Sequence, residues 1–280
     1  MLYSKESDML TSKITACLVI HDEEQVLARC LDSVVKVTNN ILVVHDGPCS
    51  DASLQICAKY GCTVFTRDFI GEAEPHRVWL FEKVKTEYCL QIDADEFLST
   101  DLLRALPALI QDHVSAYTAI WPYWDGTRYT TRHWPRKLFL YRIEDIDFLG
   151  APHEAVRVNG SIMHLPHQLE HRPGYDNLSL HTFRSKWQKW AKIHSSYYLK
   201  SHDDIKQFPK SGKRLYPHYY RWMVYAPISA VPLGVYHTLA CLLSGGITQG
   251  FIGVKSCFFM GLYYCVVSLY VAWGKYGKNS

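Results

Sequence analysis

The sequence has no Cys-x-x-Cys motif and no apolar segment at its N-terminus. Nine cysteines are present without a Cys-x-x-Cys pair, and most, such as Cys17 and Cys89, lie inside apolar runs. This pattern is typical of reduced, buried thiols in a cytosolic protein. The segment from Met1 to Lys13 is polar and carries both charge signs, so it offers no apolar core of a signal peptide. We therefore expect the body of the protein to stay in the cytoplasm.

A large excess of one charge sign is also missing. The net charge is +3 and only 20% of the residues are charged, which does not favour a strongly electrostatic surface, and no nucleic-acid partner is expected. A hydrophobic content of 48% argues against disorder. At 280 residues the chain has the length of one large α/β domain plus an appendage, taking roughly 150 residues per domain.

Short apolar strands alternate with helical segments through the first hundred residues. The run Ile14–Ile20 favours a strand buried on both faces, and Asp22 is the expected N-cap of the next helix. Gly61 is the expected end of a second helix. This alternation predicts a parallel sheet wound by right-handed crossovers. Further strands are predicted at 41–44, 62–65 and 88–92, and helices at 52–60 and 76–85.

Acidic segments follow three of the predicted strands. They are His21 to Glu24, His45 to Asp51 and Asp93 to Glu96. Ligands of such sheets bind beyond the carboxyl ends of the strands, where these loops converge. The three segments are therefore expected to line one crevice. The alternative is that the acids are solvated turn residues.

The later part of the chain changes in character. Aromatic strands are predicted between Ser115 and Val158, as an antiparallel continuation of the sheet and a wall on the acceptor side. A helical, basic and histidine-rich stretch follows from about Asp176 to Lys213. Trp187 and Trp190 in this stretch face lipid or acceptor sugars, or else pack in the interior.

Two charge-free apolar stretches lie near the C-terminus, at 222–243 and 256–273. Each is close to the ~20 residues that cross a bilayer. Arg214 and Arg221 precede the pair, and Lys275 and Lys278 follow it. Positive outer flanks predict a hairpin that spans or dips into the membrane with both ends on the cytoplasmic side. The alternative is a pair of buried or oligomerising helices.

Asp93 and Asp95 form an Asp-x-Asp pair at the end of a buried strand. Carboxylates in this position can hold a divalent metal, and such an ion neutralises the negative charge of a departing diphosphate. The pair alone is a weak signal. The strand Leu90-Gln91-Ile92 before it and the two earlier acidic loops make it more specific.

Three motifs follow one another in about the first hundred residues. His21-Asp22-Glu23-Glu24, before Arg29-Cys30-Leu31-Asp32-Ser33-Val34, resembles the opening of family 2 glycosyltransferases. Val43-Val44-His45-Asp46-Gly47 with Ser50-Asp51-Ala52-Ser53 is similar to that family's second loop, and Ile92-Asp93-Ala94-Asp95-Glu96-Phe97-Leu98 to its metal motif. The second loop departs from the simpler Asp-Ser-Gly-Ser run of many relatives. Weaker likenesses at His153-Glu154, Glu170-His171 and Lys275-Tyr276 resemble bacterial enzymes of lipopolysaccharide core and related envelope glycans.

The resemblance implies an α/β fold of the GT-A (nucleotide-diphospho-sugar transferase) type, a Rossmann-like mixed sheet with helices on both faces, followed by C-terminal apolar helices. It implies a GT-A domain at 1–215, with a nucleotide-sugar half at 14–100 and an acceptor half at 115–215, and a membrane-associated hairpin at 216–280. The implied activity is transfer of a hexose, with inversion, from a nucleotide-sugar such as UDP-hexose to a glycan or lipid-linked acceptor such as lipopolysaccharide core. The implied location is the cytoplasmic side of the inner membrane, with membrane contact through 222–273.

The resemblance also implies residue roles. A divalent Mn²⁺ or Mg²⁺ ion is bound by Asp95, with Asp93 on ribose or metal and His171 as a third protein ligand. The nucleotide-sugar is contacted by Glu23, Asp46 and Arg77. Asp46 is expected on the base or ribose and Arg77 on the diphosphate, although Arg77 is equally an exposed arginine at a helix start.

An inverting transfer needs a base that takes the proton of the attacking hydroxyl. Glu154 is the candidate, with His153 orienting or replacing it, and the alternative is that the two form a structural pair. Asp125 and Asp147 are the next candidates for the base.

Two other functions compete with glycosyl transfer. A nucleotidyltransferase acting on sugar phosphates also pairs carboxylates with a metal, but it is expected to have a glycine-rich basic loop after the first strand, where this chain has His21-Asp22-Glu23-Glu24. A non-catalytic, membrane-tethered nucleotide-sugar-binding protein is the second alternative. The intact Asp93 and Asp95 argue against it.

Overall fold

A computed structural model of the protein describes residues 12–110, 113–176, 178–209 and 211–277. The N-terminal residues 1–11 and Lys278, which the expectations on targeting and membrane orientation used, lie outside the described residues. The strands are β1 (Ile14–Ile20), β2 (Ile41–Asp46), β3 (Thr63–Arg67), β4 (Tyr88–Gln91), β5 (Glu96–Leu98), β6 (Ala116–Ile120), β7 (Arg136–Arg142), β8 (Ile146–Leu149), β9 (Arg157–Val158), β10 (Ile162–His171) and β11 (Gln207–Pro209). The α-helices are α1 (Leu27–Val34), α2 (Ser53–Lys59), α3 (Glu74–Phe81), α4 (Thr100–Leu109), α5 (Leu180–Thr182), α6 (Gln188–Tyr197), α7 (Tyr220–Met223), α8 (Ala230–Leu243) and α9 (Gly250–Tyr276).

The main sheet is mixed. Within the described residues, eight strands form it in the order β3-β2-β1-β4-β7-β6-β10-β5. The strands β3, β2, β1 and β4 are parallel, whereas β7 is antiparallel to both β4 and β6. The predicted parallel half and its antiparallel aromatic continuation are both present. A smaller antiparallel sheet has the order β11-β8-β9.

Helices cover both faces of the main sheet. Ile14, Ala16 and Leu18 of β1 pack into a core shared with α1 and α4, whereas Cys17 packs with residues of α3 on the other face. Successive side chains of a strand point to opposite faces, so an uninterrupted apolar run is what a doubly covered strand requires. The predicted fold class, a mixed α/β sheet with helices on both faces and apolar C-terminal helices, is confirmed.

The start of α1 differs from the prediction. Asp22 does not cap the helix, because the N-cap position is Val26 and no side chain caps it. Asp22 adopts a positive φ of 51° and its carboxylate accepts hydrogen bonds from the backbone N–H and hydroxyl of Ser50. The acidic loop after β1 is thus tied to the loop after β2. The expected end of the second helix is found, since Gly61 follows α2 with φ of 67°.

The basic stretch that follows β10 is helical only in its first part. A π-helical turn, Phe183–Trp187, joins α5 to α6, and α6 ends at Tyr197. The chain then turns and pairs as β11 with β8. The prediction of helix as far as Lys213 is therefore wrong. Residues 207–209 form a strand because they pair with β8, and pairing between segments distant in sequence cannot be recognised from helical periodicity.

The two apolar C-terminal stretches are unequal in the structure. The first is broken into α7 and α8, and the 14 residues of α8 reach only about 21 Å, less than the ~30 Å apolar core of a bilayer. Among the described residues, the segment Gly246–Tyr276 is the one helix long and apolar enough to cross a membrane. Half of its most apolar window is buried inside the protein.

Candidate functional site

A cavity of about 710 Å³ opens beyond the carboxyl ends of β1 and β4. Its position is the one expected for a sheet of parallel strands, where connecting loops converge. The structure brings most of the predicted site residues together in it. The predicted residues that line the cavity are Glu23, Arg77, Asp93, Asp95, His153, Glu154 and His171.

Asp93 is held between two cations. The Nη2 atom of Arg77 donates to its Oδ1 at 2.5 Å, and the Nζ atom of Lys137 donates to its Oδ2 at 2.7 Å. Burial raises the pKa of Asp93, but Lys137 and Arg77 outweigh it and hold that pKa well below the usual range. Arg77, in the first turns of α3, is therefore a site residue and not a freely solvated arginine.

Glu96, the last residue of the acidic segment, is fully buried and does not line the cavity. Its Oε1 accepts from Lys137 Nζ at 2.6 Å and from the indole Nε1 of Trp121 at 2.6 Å, while its Oε2 accepts from the backbone N–H of Asp93 at 3.0 Å. Sequence analysis missed Lys137 and Trp121. Both belong to the antiparallel half, whose register against β4 and β5 is not visible in the sequence.

Asp95 faces His171 across the site. The Nε2 atom of His171 lies 3.2 Å from Oδ2 of Asp95, and its ring stacks on Trp121 with a centroid distance of 4.1 Å. The pairing of β10 with β5, which sets His171 opposite Glu96, produces this arrangement. The Nδ1 atom of His171 is buried and has no hydrogen-bond partner among the described residues.

Asp95 and His171 fit a divalent ion better than the predicted set of three. One carboxylate and one imidazole suit Mn²⁺, and ions of this kind complete their coordination with water and substrate phosphate. The Nε2 atom is the ring nitrogen of His171 that faces Asp95, so it is the atom available for ligation. Each oxygen of Asp93 accepts a hydrogen bond, one from Arg77 and the other from Lys137.

Asp46 lies at the end of β2 and does not line the cavity. Its Oδ1 accepts from the backbone N–H of Ile70 at 2.6 Å and lies 2.9 Å from Nε2 of His76, and its Oδ2 accepts from the N–H of Gly71 at 2.8 Å. These bonds hold the loop between β3 and α3. The expected contact of Asp46 with a base or ribose stays a prediction.

Glu154 also lines the cavity and is 8% exposed. One carboxylate oxygen accepts from the backbone N–H of His218, and the other lies 3.3 Å from Nη2 of Arg157. Burial raises the pKa of Glu154. A raised pKa suits a group that takes a proton near neutral pH.

His153, the neighbour of Glu154, has a positive φ of 59°, an uncommon backbone conformation for a residue with a side chain. Its ring packs 5.3 Å from that of Tyr263 and 5.5 Å from that of His194. Desolvation by these neighbours lowers the pKa of His153, so the neutral imidazole is favoured.

The chain matches a known family over more than half of its length. Residues 15–162 match the sequence profile described as Glycosyl transferase family 2. The chain belongs to glycosyltransferase family 2. The matched range contains the Asp93–Asp95 segment and Glu154.

Curated relatives of this family 2 chain come from Rickettsia. A glycosyltransferase of Rickettsia conorii is 29% identical over 104 residues, which is 37% of this chain and 36% of that protein. A glycosyltransferase of Rickettsia bellii is 29% identical over 115 residues, covering 40% of this chain and 38% of the relative. The matched region thus spans little more than a third of each curated relative.

Solved structures of similar architecture have low sequence identity. A mannosyltransferase from Pyrobaculum calidifontis, in complex with GDP-Man and Mn²⁺, is 13% identical with a TM-score of 0.49, covering 94% of this chain and 88% of that one. TarS residues 1–349 from S. aureus, in complex with UDP-GlcNAc, is 13% identical with a TM-score of 0.45, covering 95% of this chain and 92% of that one.

The other carboxylates considered as a base in this glycosyltransferase lie elsewhere. Asp125 accepts hydrogen bonds from Thr127 and Arg128 within its own loop. Asp147 belongs to the small sheet, where it accepts from Asn159 Nδ2 at 2.9 Å and from the N–H of Ser211 at 3.0 Å. Neither residue lines the cavity.

The C-terminal helices contribute to the same cavity. The cavity is lined by Trp187 of the π-helical turn, by Trp190 of α6, and by Met260, Tyr263 and Tyr264 of α9. Trp187 also contacts Tyr263, with ring centroids 5.9 Å apart. The expected boundary at residues 215 and 216 therefore does not separate the site from the hairpin, because both sides of that boundary line the cavity.

Glu23 gives the site a pH dependence that can be measured. Burial and the nearby Asp95 and Asp93 raise its pKa from 4.5 to about 7. The folded protein thus keeps a proton that the unfolded chain releases, so stability falls as pH rises from about 4.5 to about 7. We expect Glu23→Gln to remove this decrease, seen as thermal unfolding measured without metal between about pH 5 and about pH 8. The exposed control Glu82→Gln should keep the wild-type profile, and a Glu23→Gln profile identical to wild type would contradict the assignment.

Proposed function

We propose that the chain transfers a hexose, with inversion, from a nucleotide-sugar such as a UDP-hexose to a glycan or glycolipid acceptor such as lipopolysaccharide core. One observation supports this most directly. A single cavity is lined by the Asp95–His171 pair, by the Arg77–Asp93–Lys137 charges and by Glu154. Family 2 membership supports the nucleotide-sugar as donor.

The charged end of the cavity suits a diphosphate. Arg77 and Lys137 bring two cations beside Asp93, and charge-assisted hydrogen bonds to phosphate oxygens are strong. A divalent Mn²⁺ or Mg²⁺ would be held by Asp95 and His171, with Asp93 beside it. When bound, that ion would supply Lewis-acid stabilisation of the departing nucleoside diphosphate.

Glu154 suits the activation of an acceptor. Glu154 takes the proton of the attacking acceptor hydroxyl, whose oxygen bonds to the sugar carbon on the face opposite the departing diphosphate. The bond from that carbon to the diphosphate oxygen breaks, and the configuration inverts. His153 and Trp190 line the cavity beside this carboxylate and help exclude water.

Glu154→Gln tests the base directly. Glutamine keeps the shape and can still accept from the N–H of His218, but it cannot take a proton. We expect turnover to fall about 10²- to 10⁴-fold, the usual contribution of a general base, with little change in thermal unfolding temperature. Steady-state transfer assays beside the exposed control Glu82→Gln measure the effect. Wild-type turnover in Glu154→Gln would assign the base elsewhere.

The donor is tested by ligand stabilisation and by turnover. Screening UDP-, GDP-, CDP- and dTDP-sugars for manganese-dependent protection against thermal unfolding identifies the nucleotide, since a bound ligand stabilises the folded state by mass action. Slow hydrolysis of the protecting nucleotide-sugar is expected. Release of pyrophosphate from a nucleoside triphosphate and a sugar phosphate would instead indicate a nucleotidyltransferase, and protection without turnover a binding protein.

We further infer that α8 and α9 lie in the cytoplasmic surface of the inner membrane and do not span it. Tyr263 and Val267 of α9 pack against the rest of the protein, whereas Phe251 is 80% and Phe258 60% exposed. A helix with a charged cavity on one side cannot be surrounded by acyl chains, but its apolar outer face can enter the interface.

Substitution of this outer face should release the protein from membranes. We expect Phe251→Glu/Phe258→Glu to weaken binding to anionic vesicles by roughly tenfold or more for each phenylalanine. The reason is that burial of each phenylalanine side chain contributes about 1.5–3 kcal/mol to the binding free energy. Vesicle flotation measures the binding. Phe69→Glu, at a residue 61% exposed outside α8 and α9, is the matched control. Equal flotation of all three proteins would contradict membrane contact through 222–273.

A further inference from the structure

A second group of metal-ligating side chains lies outside the cavity. Asp22, His45 and Cys49 follow or end the first two strands, and each offers one ligand atom. These atoms lie within 4.8 Å of one another. None of the three residues lines the cavity.

A hydrogen bond to the backbone fixes the tautomer of His45 that metal binding requires. Its Nδ1 lies 2.8 Å from the carbonyl oxygen of Gly47, which can only accept, so Nδ1 carries the proton. Nε2 then presents its lone pair, and the N–H of Asp22 approaches it at 3.4 Å. A ring that donates its other N–H to a backbone carbonyl is the usual arrangement of a ligating histidine. His45 is fully buried, and its Nε2 atom lies 3.5 Å from Oδ1 of Asp22.

The other two ligands are also positioned from outside the group. The backbone N–H of Ser50 donates to Oδ1 of Asp22 at 2.9 Å, and the Ser50 hydroxyl donates to Oδ2. The thiol of Cys49 lies 3.4 Å from Oδ1 of Asp51. Cys49 is only half-buried, so an ion can reach the group from solvent.

We propose that Asp22, His45 and Cys49 bind Zn²⁺, with an open fourth position. A thiolate, an imidazole and a carboxylate together match the mixed ligands of zinc, which is four-coordinate and accepts sulfur, nitrogen and oxygen. A thiolate is a poor ligand for the hard Mg²⁺ ion. The ion proposed here therefore differs in kind from the one proposed for Asp95 and His171.

Binding at this place has a structural consequence. Asp22 belongs to the loop after β1, whereas His45 and Cys49 belong to β2 and the loop after it. The two loops are already joined by hydrogen bonds from Ser50 to Asp22 and from the N–H of Glu24 to Asp51. A zinc ion would link them more strongly and raise the unfolding temperature of the whole chain.

The test uses the full chain after removal of metals by a chelator. Zinc affinity is measured by competition with a chromophoric chelator, and Co²⁺ serves as a spectroscopic substitute. We expect one equivalent of Zn²⁺, a thiolate-to-cobalt charge-transfer band, and tetrahedral visible bands. Cys49→Ser should abolish the charge-transfer band, and either Cys49→Ser or Asp22→Asn should raise the zinc Kd by at least about tenfold.

Matched variants separate this site from other ligands. Cys62→Ser changes another half-buried cysteine and should leave both the band and the Kd unchanged. Asp95→Ala removes the proposed ligand of the diphosphate metal and should also leave zinc binding unchanged. A wild-type protein that binds no stoichiometric Zn²⁺, or a Cys49→Ser variant that keeps the charge-transfer band, overturns the proposal. Loss of the band in Cys62→Ser instead would assign the metal to that cysteine and overturn it equally.

Discussion

Asp95→Ala is expected to lower glycosyl transfer by roughly a thousandfold, because it removes the carboxylate that faces His171 in the proposed metal site. Metal stabilisation of a leaving group contributes several kcal/mol, and about 4 kcal/mol corresponds to a factor of ~10³. The alanine variant keeps the backbone carbonyl of Asp95, which accepts from the N–H of Arg172 at 3.0 Å. The local turn should therefore survive.

Transfer assays with and without added Mn²⁺ measure this effect, alongside thermal unfolding. Asp101→Asn removes an acid whose side chain is 79% exposed, and it should leave activity unchanged. A folded Asp95→Ala protein should also lose manganese-dependent protection by the nucleotide-sugar. Full metal-dependent activity in this variant would remove the central element of the proposed mechanism.

Lys137→Met is expected to destabilise the protein by about 3 kcal/mol. Removing one partner of a buried ion pair costs roughly 3–5 kcal/mol, and the lower figure applies because the Asp93 side chain is 34% exposed. The larger part of the loss comes from Glu96, which is fully buried and, within the described residues, keeps the Trp121 indole and the backbone N–H of Asp93 as hydrogen-bond donors. Without Lys137, the buried carboxyl of Glu96 favours its protonated form in the folded protein, so the loss of stability should grow as pH rises.

Urea unfolding at several pH values measures this loss. Lys36→Met replaces an exposed lysine and should change stability by less than about 0.5 kcal/mol. The double variant Lys137→Met/Glu96→Gln should recover much of the lost stability, because it also removes the unpaired charge. A double variant as unstable as Lys137→Met alone would show that the lysine acts through packing rather than through its charge.

Local signals predicted the donor half of the fold well. The strand Ile14–Ile20 is found at the predicted residues, and Gly61 ends a helix as expected. Both features depend on neighbouring residues alone: a continuous apolar run indicates a buried strand, and a glycine favours the left-handed end of a helix. The convergence of Glu23, Asp93 and Asp95 followed from the rule that parallel strands place their carboxyl ends together.

Long-range pairing explains what the sequence did not reveal. Lys137 reaches Glu96 and Asp93 only because β7 runs antiparallel to β4, and no local pattern records that register. The N-cap assigned to Asp22 was wrong for a related reason, since Ser50 from another loop takes up its carboxylate. The contribution of Met260 and Tyr263 to the cavity is likewise tertiary, because apolar composition indicates a helix without indicating which surface it covers.

The position of α9 fixes the distance between the cavity and the proposed membrane surface. Met260 lines the cavity and Phe258 is exposed on the opposite side of the same helix, so the reaction space lies about one helix diameter, roughly 10 Å, from the proposed membrane surface. A membrane-anchored acceptor can then offer only those hydroxyls that stand near this height above the lipid. The helix would therefore select acceptors by the distance between their hydroxyl and the lipid. A hydroxyl too close to the lipid, or too far from it, would not reach Glu154, whatever the chemical identity of the acceptor sugar.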